Sequence, residues 1–264
     1  MDSLSSGKKI YNLEDFISDA SPNATGNLEK WTALDSEGRL IYIKTHSKSY
    51  LMSPRFECEN ECFVSEYFEL LGLPSVKYYL DTLIEGGVKK KICYSYDFVC
   101  GKRTEHLLSF IPNLMNLRGV ERFEFLKSNC PYLMNELNKI LIMDFLIQND
   151  DRHLRNIQLV FNKNGSIEVP SFDNGNCLFY DRMDSELLML INRKLSSCKC
   201  RPFFNNWEEQ VKILDFSKVN LIYPNPNEVY KLCRKYYSIL RSKLITAFLI
   251  SRLEQFKVFG GKVR

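Results

Sequence analysis

The sequence lacks the signature motifs of several large enzyme classes. It has no Gly-x-Ser-x-Gly motif of hydrolases, no Walker phosphate loop and no Gly-x-Gly-x-x-Gly motif of dinucleotide-binding proteins. It also has no apolar run of about 18 residues, the length that a membrane-spanning helix needs. Residues 1–9 are polar and contain no apolar signal region. We therefore expect neither a membrane span nor one of these three enzyme classes.

Metal and disulfide frameworks are missing too. The 9 cysteines include no Cys-x-x-Cys pair, and an odd number cannot all pair with one another. Of the 3 histidines, His46 and His106 are isolated, so no histidine-based metal cluster is expected. Scattered single cysteines are typical of a reducing compartment. The sequence therefore predicts a cytoplasmic protein, with secretion into a host cell left open.

The composition is that of an ordinary globular protein. The chain has 264 residues, of which 45% are hydrophobic and 26% charged. This length allows one large domain or two lobes with a sizeable core. The net charge of +4 is compatible with phosphate binding but is too small to predict a nucleic-acid-binding protein.

The most informative stretch is rich in carboxylates and amides. Residues 149–156 read Asn-Asp-Asp-Arg-His-Leu-Arg-Asn, and two short apolar runs joined by an Asn-Gly pair follow. An Asn-Gly pair between such runs predicts a β-hairpin. Phe-Asp-Asn-Gly comes directly after the hairpin. Because a hairpin brings its two ends together, we expect Asp151, Asn156 and Asp173 to converge.

This convergence suggests phosphoryl transfer. Mg²⁺ prefers oxygen ligands and binds through one or two carboxylates together with substrate phosphates, so Asn156 and Asp173 are candidate metal ligands. Asp151 is then free to orient a hydroxyl nucleophile and accept its proton, a division of roles that protein kinases use. His153 is a second candidate catalytic residue, since histidine titrates near neutrality. A structural role, or one beside a phosphate, is favoured for His153 because it lies within the same loop.

The motif Asp-Arg-His-x-x-Asn followed by Phe-Asp resembles the HipA-like kinases, a family of bacterial Ser/Thr protein kinases. It is more distantly similar to the corresponding loop of phosphatidylinositol kinases. The resemblance covers roughly residues 21–180 and implies a two-lobed α+β fold, ATP and Mg²⁺ as cofactors, and a protein substrate with Ser or Thr hydroxyls. It implies that Asp151 is the catalytic base and that Asn156 and Asp173 are the magnesium ligands.

The resemblance also assigns a nucleotide-phosphate loop to residues 21–27. Ser21, Thr25 and Gly26 are the candidate phosphate-binding residues, because exposed backbone N–H groups of small residues can bind phosphate. Gly26 is the only glycine in this loop. A plain surface loop therefore stays open as the alternative. Autophosphorylation at Ser21 or Thr25 is a further hypothesis.

A lysine and a glutamate complete the phosphate site that the resemblance implies. The alternation of residues 39–45 predicts a strand that carries Lys44 near its end. Lys44 is assigned to the nucleotide phosphates, the alternative being a solvated lysine. Residues 55–71 form a candidate helix that carries Glu61 and Glu66. We favour Glu61 as the partner of Lys44, since its distance from the end of the helix resembles the family.

Two further strands are expected over residues 75–83 and 89–99. The resemblance implies that the hinge between the lobes follows them. The backbone groups of Asp97, Phe98 and Val99 would then contact the adenine edge.

The remainder of the chain reads as helical. Residues 131–148 predict a buried helix, because its C-terminal half is apolar on nearly all sides. This helix leads directly into the loop that contains Asp151. Residues 228–256 predict one long amphipathic helix. We therefore expect a strand-rich N-lobe over residues 1–99 and a helical C-lobe over residues 100–264, a single kinase domain without the extra N-terminal domain of longer HipA proteins.

Two other functions stay open. One is a phosphatidylinositol or small-molecule kinase; residues 174–185 contain no lysine, which argues modestly against a lipid substrate. The other is a catalytically silent, kinase-like binding module, which the intact Asp151, Asn156 and Asp173 argue against. The sequence gives no indication of the oligomeric state or of the particular substrate.

Overall fold

The fold is taken from a computed structural model. It describes residues 10–12, 30–35, 37–46, 55–85 and 87–264. The proposed phosphate-loop residues Ser21, Thr25 and Gly26 lie outside the described residues.

The N-terminal part contains a five-stranded sheet in the order β1-β4-β5-β3-β2. Its strands are β1 (Ile10–Asn12), β2 (Lys30–Leu34), β3 (Leu40–Thr45), β4 (Tyr79–Glu85) and β5 (Val88–Tyr96). β1 pairs with β4 in parallel, and the other neighbours are antiparallel. β2 and β3 form a hairpin that turns between residues 34 and 40. The next two strands are each shorter than predicted, since β4 begins at Tyr79 and β5 ends at Tyr96.

Helix α1 (Glu57–Leu70) joins this sheet to the rest of the molecule. Cys58 and Cys62 pack against Cys93 of β5, whereas Phe63 and Tyr67 belong to the large core of the C-terminal part. The helix is therefore buried on opposite sides, which explains why its sequence shows only a weak amphipathic pattern. Gly72, with φ of +73°, follows the end of the helix.

The C-terminal part is mostly helical. Its helices are α2 (Leu107–Phe110), α3 (Val120–Asn129), α4 (Met134–Ile147), α5 (Asp184–Leu190), α6 (Trp207–Val211), α7 (Pro226–Tyr236) and α8 (Ile239–Val258). Its short strands are β6 (Arg103–His106), β7 (Gln158–Phe161), β8 (Ile167–Glu168), β9 (Asn220–Leu221) and β10 (Lys262–Val263). β6, β7 and β8 form one small sheet, and β9 pairs with β10. No helix in the described ranges is long and apolar enough to cross a membrane.

Helix α4 lies at the centre of the core, as predicted. Its residues from Ile140 to Ile147 are all buried, Asp144 included. The helix ends at Ile147, and the left-handed backbone of Gln148 turns the chain into the Asp151 loop. The hairpin that follows this loop is also confirmed, since β7 and β8 pair antiparallel.

The prediction of one long helix over residues 228–256 is wrong. The structure has two helices, α7 and α8, separated by Tyr237 and Ser238, whose backbones are extended. The side chain of Ser238 accepts a hydrogen bond from the N–H of Arg241 at 3.1 Å, so it caps the start of α8. The apolar periodicity continues across the break because both helices pack into the same core.

Candidate active site

Lys44 lies on β3 and points into a cluster of acidic and phenolic groups. Its Nζ is 2.7 Å from Oε1 of Glu61, 2.9 Å from Oδ1 of Asp173 and 3.2 Å from the hydroxyl of Tyr78. Burial alone would lower the pKa of Lys44, but the carboxylates of Asp173 and Glu61 reverse this effect and raise it well above its ordinary value. Lys44 is therefore a permanently charged group in a buried position.

Glu61 on α1 uses both of its carboxylate oxygens. Oε1 accepts from Lys44, and Oε2 accepts from the backbone N–H of Asn174 at 2.9 Å. Glu66, the alternative partner, instead accepts from the hydroxyl of Tyr236 at 2.7 Å. Glu61 thus joins α1, β3 and the loop after β8 at one point.

Asp173 lies in that loop in a left-handed backbone conformation, with φ of +58°. This conformation is unfavourable for a residue other than glycine and is often found where a site fixes the geometry. Burial would raise the pKa of Asp173, but the ammonium groups of Lys44 and Lys30 lower it well below its usual range. Asp173 is therefore an ionised carboxylate, and its Oδ2 is 3.9 Å from Nζ of Lys30.

Arg152 connects the loop of Asp151 with the loop of Asp173. It is fully buried and forms a bidentate pair with Asp144 of α4, with both nitrogen–oxygen distances 2.9 Å. Nη1 donates to the carbonyl oxygens of Asn156 at 3.1 Å and Phe172 at 2.8 Å. Nη2 also donates to Oδ1 of Asn174 at 2.8 Å. A guanidinium has five N–H donors, and each of the five donors of Arg152 has a hydrogen-bond partner here.

Asp151 faces away from this buried cluster. Its Oδ2 accepts from Nδ2 of Asn176 at 2.8 Å, and its Oδ1 accepts from Nη1 of Arg201 at 3.1 Å. Its backbone N–H donates to Oδ1 of Asn149 at 3.2 Å. The side chain is 39% exposed, so a substrate can approach it.

The side chain of Asn156 makes no hydrogen bond to any of the residues that the structure describes. Its backbone is held by the N–H bond to the carbonyl of His153 at 2.8 Å and by Arg152. The amide oxygen is therefore available as a ligand. Asn156 and the ionised Asp173 would be the residues to hold Mg²⁺, which prefers oxygen ligands, and phosphate and water oxygens would have to supply the remaining ligands.

His153 lies beside Asp151 and is half-buried. Burial lowers its pKa, and the nearby carboxylate of Asp151 only partly opposes this shift. Its Nδ1 is buried and has no hydrogen-bond partner among the described residues. A neutral imidazole is compatible with both roles predicted for His153, a catalytic base and a structural residue.

The segment of Asp97, Phe98 and Val99 follows β5 as a tight turn. The carboxylate of Asp97 accepts from the N–H groups of Val99 at 3.1 Å and Cys100 at 3.2 Å. The carbonyl of Val99 accepts from the N–H of Lys102 at 3.0 Å. No hydrogen bond among the described residues uses the backbone N–H or carbonyl of Phe98. Its ring is tilted by 31° against that of Phe172, with 5.7 Å between the two centroids.

The segment after Asp173 is fixed by a buried arginine of α8. Leu178 and Phe179 both have left-handed backbones, with φ of +48° and +57°. Arg241 donates to their carbonyl oxygens at 3.2 and 2.7 Å, and to the carbonyl of Arg182 at 3.0 Å. It also donates to Oδ1 of Asp184 at 3.2 Å. The segment is thereby ordered without any added group.

A groove of about 790 Å³ lies beside Asp151. Its lining includes His153 and Asn176 from the two loops, Arg122 from α3, and the segment between residues 199 and 205. The groove adjoins the exposed side of Asp151, where a hydroxyl substrate would have to approach.

Several of these contacts are absent from the predictions made on the sequence. The residues that contact a candidate site residue without having been predicted are Tyr78, Arg152, Asn174, Asn176 and Arg201. Asp144, the single aspartate in the otherwise apolar end of α4, could have indicated that a positively charged partner such as Arg152 lies nearby, because a buried carboxylate requires a partner. By contrast, no pattern in the sequence indicates that residue 201 approaches Asp151.

No protein-family model and no curated protein matches the sequence. Among solved structures, the Helicobacter pylori proinflammatory kinase CtkA superposes with a TM-score of 0.68 at 16% identity, covering 94% of this chain and 96% of that one. An apo pseudokinase gives a TM-score of 0.31 at 12% identity, covering 93% of this chain and 97% of that one. A MAP kinase from Leishmania major gives 0.31 at 14% identity, covering 93% and 81%.

The similarity to CtkA extends over almost the whole of both chains, so it applies to the complete architecture of sheet, α1 and helical C-terminal part. The predicted fold class is confirmed. The chain has a two-lobed α+β fold of the protein-kinase type.

Proposed function

We propose that this protein is an ATP- and Mg²⁺-dependent protein kinase of the HipA-like type that phosphorylates Ser or Thr hydroxyls. The contact of Lys44 with both Glu61 and Asp173 carries the proposal. Protein kinases need the lysine–glutamate pair and the metal-binding aspartate in place at the same time. In this structure one ammonium group touches both carboxylates.

The nucleotide would lie between the N-lobe, residues 1–99, and the C-lobe, residues 100–264. Lys44, oriented by Glu61, would bind the phosphates. The backbone of Phe98 is the best placed of the three hinge residues for the adenine edge, since its polar groups are unused. Ser21, Thr25 and Gly26 remain the proposed phosphate loop, and Ser21 or Thr25 the proposed sites of autophosphorylation.

Asp173 and Asn156 would hold Mg²⁺, which when bound neutralises charge on the phosphates. Arg152 would fix the spacing of these two ligands, because it binds the carbonyl of Asn156 and that of Phe172, the residue before Asp173. Lys44 now occupies Oδ1 of Asp173, so binding of the nucleotide would draw this ammonium towards the phosphates and leave the carboxylate to the metal.

Asp151 would orient the substrate hydroxyl and accept its proton. Asn176 holds one oxygen of this carboxylate at 2.8 Å, which fixes the direction of the other. The transferred phosphoryl group passes from the nucleotide to the hydroxyl oxygen, while the proton of that hydroxyl goes to Asp151. The exposed position of Asp151 beside the groove suits a substrate presented on a protein surface.

The test is incubation of purified protein with radiolabelled ATP, Mg²⁺ and a generic protein substrate. Asp151→Asn and Asp173→Asn should each remove the label. Asp215→Asn is the matched control, because Asp215 contacts Asn138 near the start of α4, at the other end of that helix from the Asp151 loop. Label that persists in both site variants contradicts the assignment, and label on added lipid alone favours a lipid kinase.

A further inference from the structure

Arg201 occupies the carboxylate that the proposed reaction needs. Its Nη1 donates to Oδ1 of Asp151, and Asn176 already occupies Oδ2. The Arg201 side chain is 58% exposed, and within the described part of the chain Asp151 is its sole hydrogen-bond and ion-pair partner. An exposed ion pair of this kind is weak and exchanges readily with another carboxylate.

The segment that carries Arg201 is well ordered. Lys199 and Asn206 form a β-bridge, and the N–H of Trp207 donates to the carbonyl of Cys198 at 3.0 Å. Phe203 is buried in the core. The backbone is therefore fixed at both ends of the segment, whereas the long side chain of Arg201 is free to change its partner.

The lining of the groove beside Asp151 carries charges of both signs. Arg201 and Lys199 come from the ordered segment, and Arg122 comes from α3. Asp150 and Asp151 come from the catalytic loop. Complementary charge selects the orientation of a bound partner. A peptide with its hydroxyl residue at Asp151 therefore has basic groups against its neighbouring residues.

We propose that Arg201 is a receptor for an acidic side chain of the substrate, and that its binding uncovers the catalytic carboxylate. A substrate Asp or Glu near the target hydroxyl takes the guanidinium of Arg201 away from Asp151. Oδ1 of Asp151 then becomes free to accept the hydroxyl hydrogen. This inference rests on the proposed function and adds the substrate class, a Ser/Thr segment flanked by acidic residues.

The expected effect is moderate. Arg201 is exposed, and an exposed charge pair changes an affinity by up to about five-fold at low ionic strength. Lys199 and Arg122 add to the preference because they lie in the same groove. The preference for acidic over neutral peptides should decrease as salt is added, since screening weakens exposed ion pairs.

The experiment measures peptide binding by fluorescence anisotropy at low salt, which requires no catalysis. The probes are a fluorescein-labelled peptide with a central Ser flanked by Asp and Glu, the same peptide with Asn and Gln, and one with Lys. They are titrated with wild type, Arg201→Ala and Arg201→Glu. Lys212→Glu is the matched control, because Lys212 is an exposed lysine of the neighbouring helix end that does not line the groove.

Wild type and Lys212→Glu should bind the acidic peptide about five-fold more tightly than the neutral one. The ratio of the affinities for the acidic and the neutral peptide should fall substantially in Arg201→Ala. In Arg201→Glu the Lys peptide should bind more tightly than the acidic one. Equal binding of acidic and neutral peptides by wild type, no binding at all, or a ratio unchanged in Arg201→Glu overturns the proposal. An acidic preference without any phosphate transfer would instead reject the proposed kinase function and retain the groove as a binding site.

Discussion

Replacing Arg152 by methionine should destabilise the protein strongly. The change leaves Asp144 as a fully buried carboxylate whose remaining donor is the amide of Asn149 at 3.0 Å. It also removes the donors to the backbone carbonyls of Asn156 and Phe172. The variant therefore loses both an ion pair in the core and the connection between two loops.

The magnitude follows from the burial of both charges. Breaking a buried pair by removing one partner costs about 3–5 kcal/mol, because the other charge is left uncompensated. Replacing both partners by apolar residues of similar volume is often neutral or stabilising. Arg152→Met together with Asp144→Leu should therefore recover the part of the stability loss that comes from the uncompensated carboxylate, whereas the part that comes from the two carbonyls remains. The proposed kinase activity should stay low in the double variant, since the carbonyls of Asn156 and Phe172 remain without their donor.

Urea unfolding of the wild type, both single variants and the double variant gives the coupling free energy between the two residues. A loss below about 1 kcal/mol in Arg152→Met, or single-variant losses that simply add, would refute the reasoning. If the double variant recovered activity as well as stability, Arg152 would not be needed to position the two loops, while the reasoning about the buried ion pair would stand.

The loss of stability in Arg152→Met should also depend on pH. Burial raises the pKa of Asp144 in the wild type, although Arg152 opposes the shift. Without Arg152 the pKa of Asp144 rises further in the folded state. A group with a raised folded pKa favours folding at low pH, and this contribution is lost as the pH rises through that pKa. The variant should therefore be closer to the wild type at pH 5 than at pH 8, which the same urea series measures.

Two further predictions concern the loop of Asp173 and the attachment of α1. Because Lys44 lowers the pKa of Asp173 below its usual range, the carboxylate stabilises the fold above about pH 4 and loses this contribution as the pH falls through the lower value. Acid titration of the unfolding free energy should therefore be steeper for wild type than for Asp173→Asn, and parallel curves would contradict this. Tyr237→Phe should cost about 1–3 kcal/mol in thermal or urea unfolding, since it leaves Oδ1 of the buried Asn60 without its donor at 2.7 Å. Tyr236→Phe, which removes the bond to Glu66, is the comparison and should cost less because Tyr236 is only partly buried; a loss below about 1 kcal/mol in Tyr237→Phe would contradict the role of the Asn60 bond.

Much of the fold could be predicted from local patterns. The hairpin of β7 and β8 was predictable because an Asn-Gly turn separates two short apolar runs, and this hairpin brings Asp173 back towards the loop of Asp151. Helix α4 was predictable because its apolar run is too long for a strand. The choice of Glu61 over Glu66 agrees with the contact to Lys44.

The contacts that cross the chain could not be predicted in this way. Arg152 binds groups on α4 and on both sides of the hairpin, and no periodicity encodes such a combination. The break at Tyr237 was invisible because the apolar pattern is the same on both of its sides. The approach of Arg201 to Asp151 depends on the path of an irregular segment, which only the three-dimensional structure provides.

The contacts of Arg241 bear on how the segment after Asp173 could be regulated. In many kinases the segment after the metal-binding aspartate becomes ordered only when a phosphate is added to it, and this addition acts as a switch. A switch requires two arrangements of similar free energy. Here the carbonyl groups of Leu178 and Phe179 are already held by Arg241, so folding itself selects one arrangement. In the proposed kinase, this segment would therefore need no added phosphate to take up its arrangement.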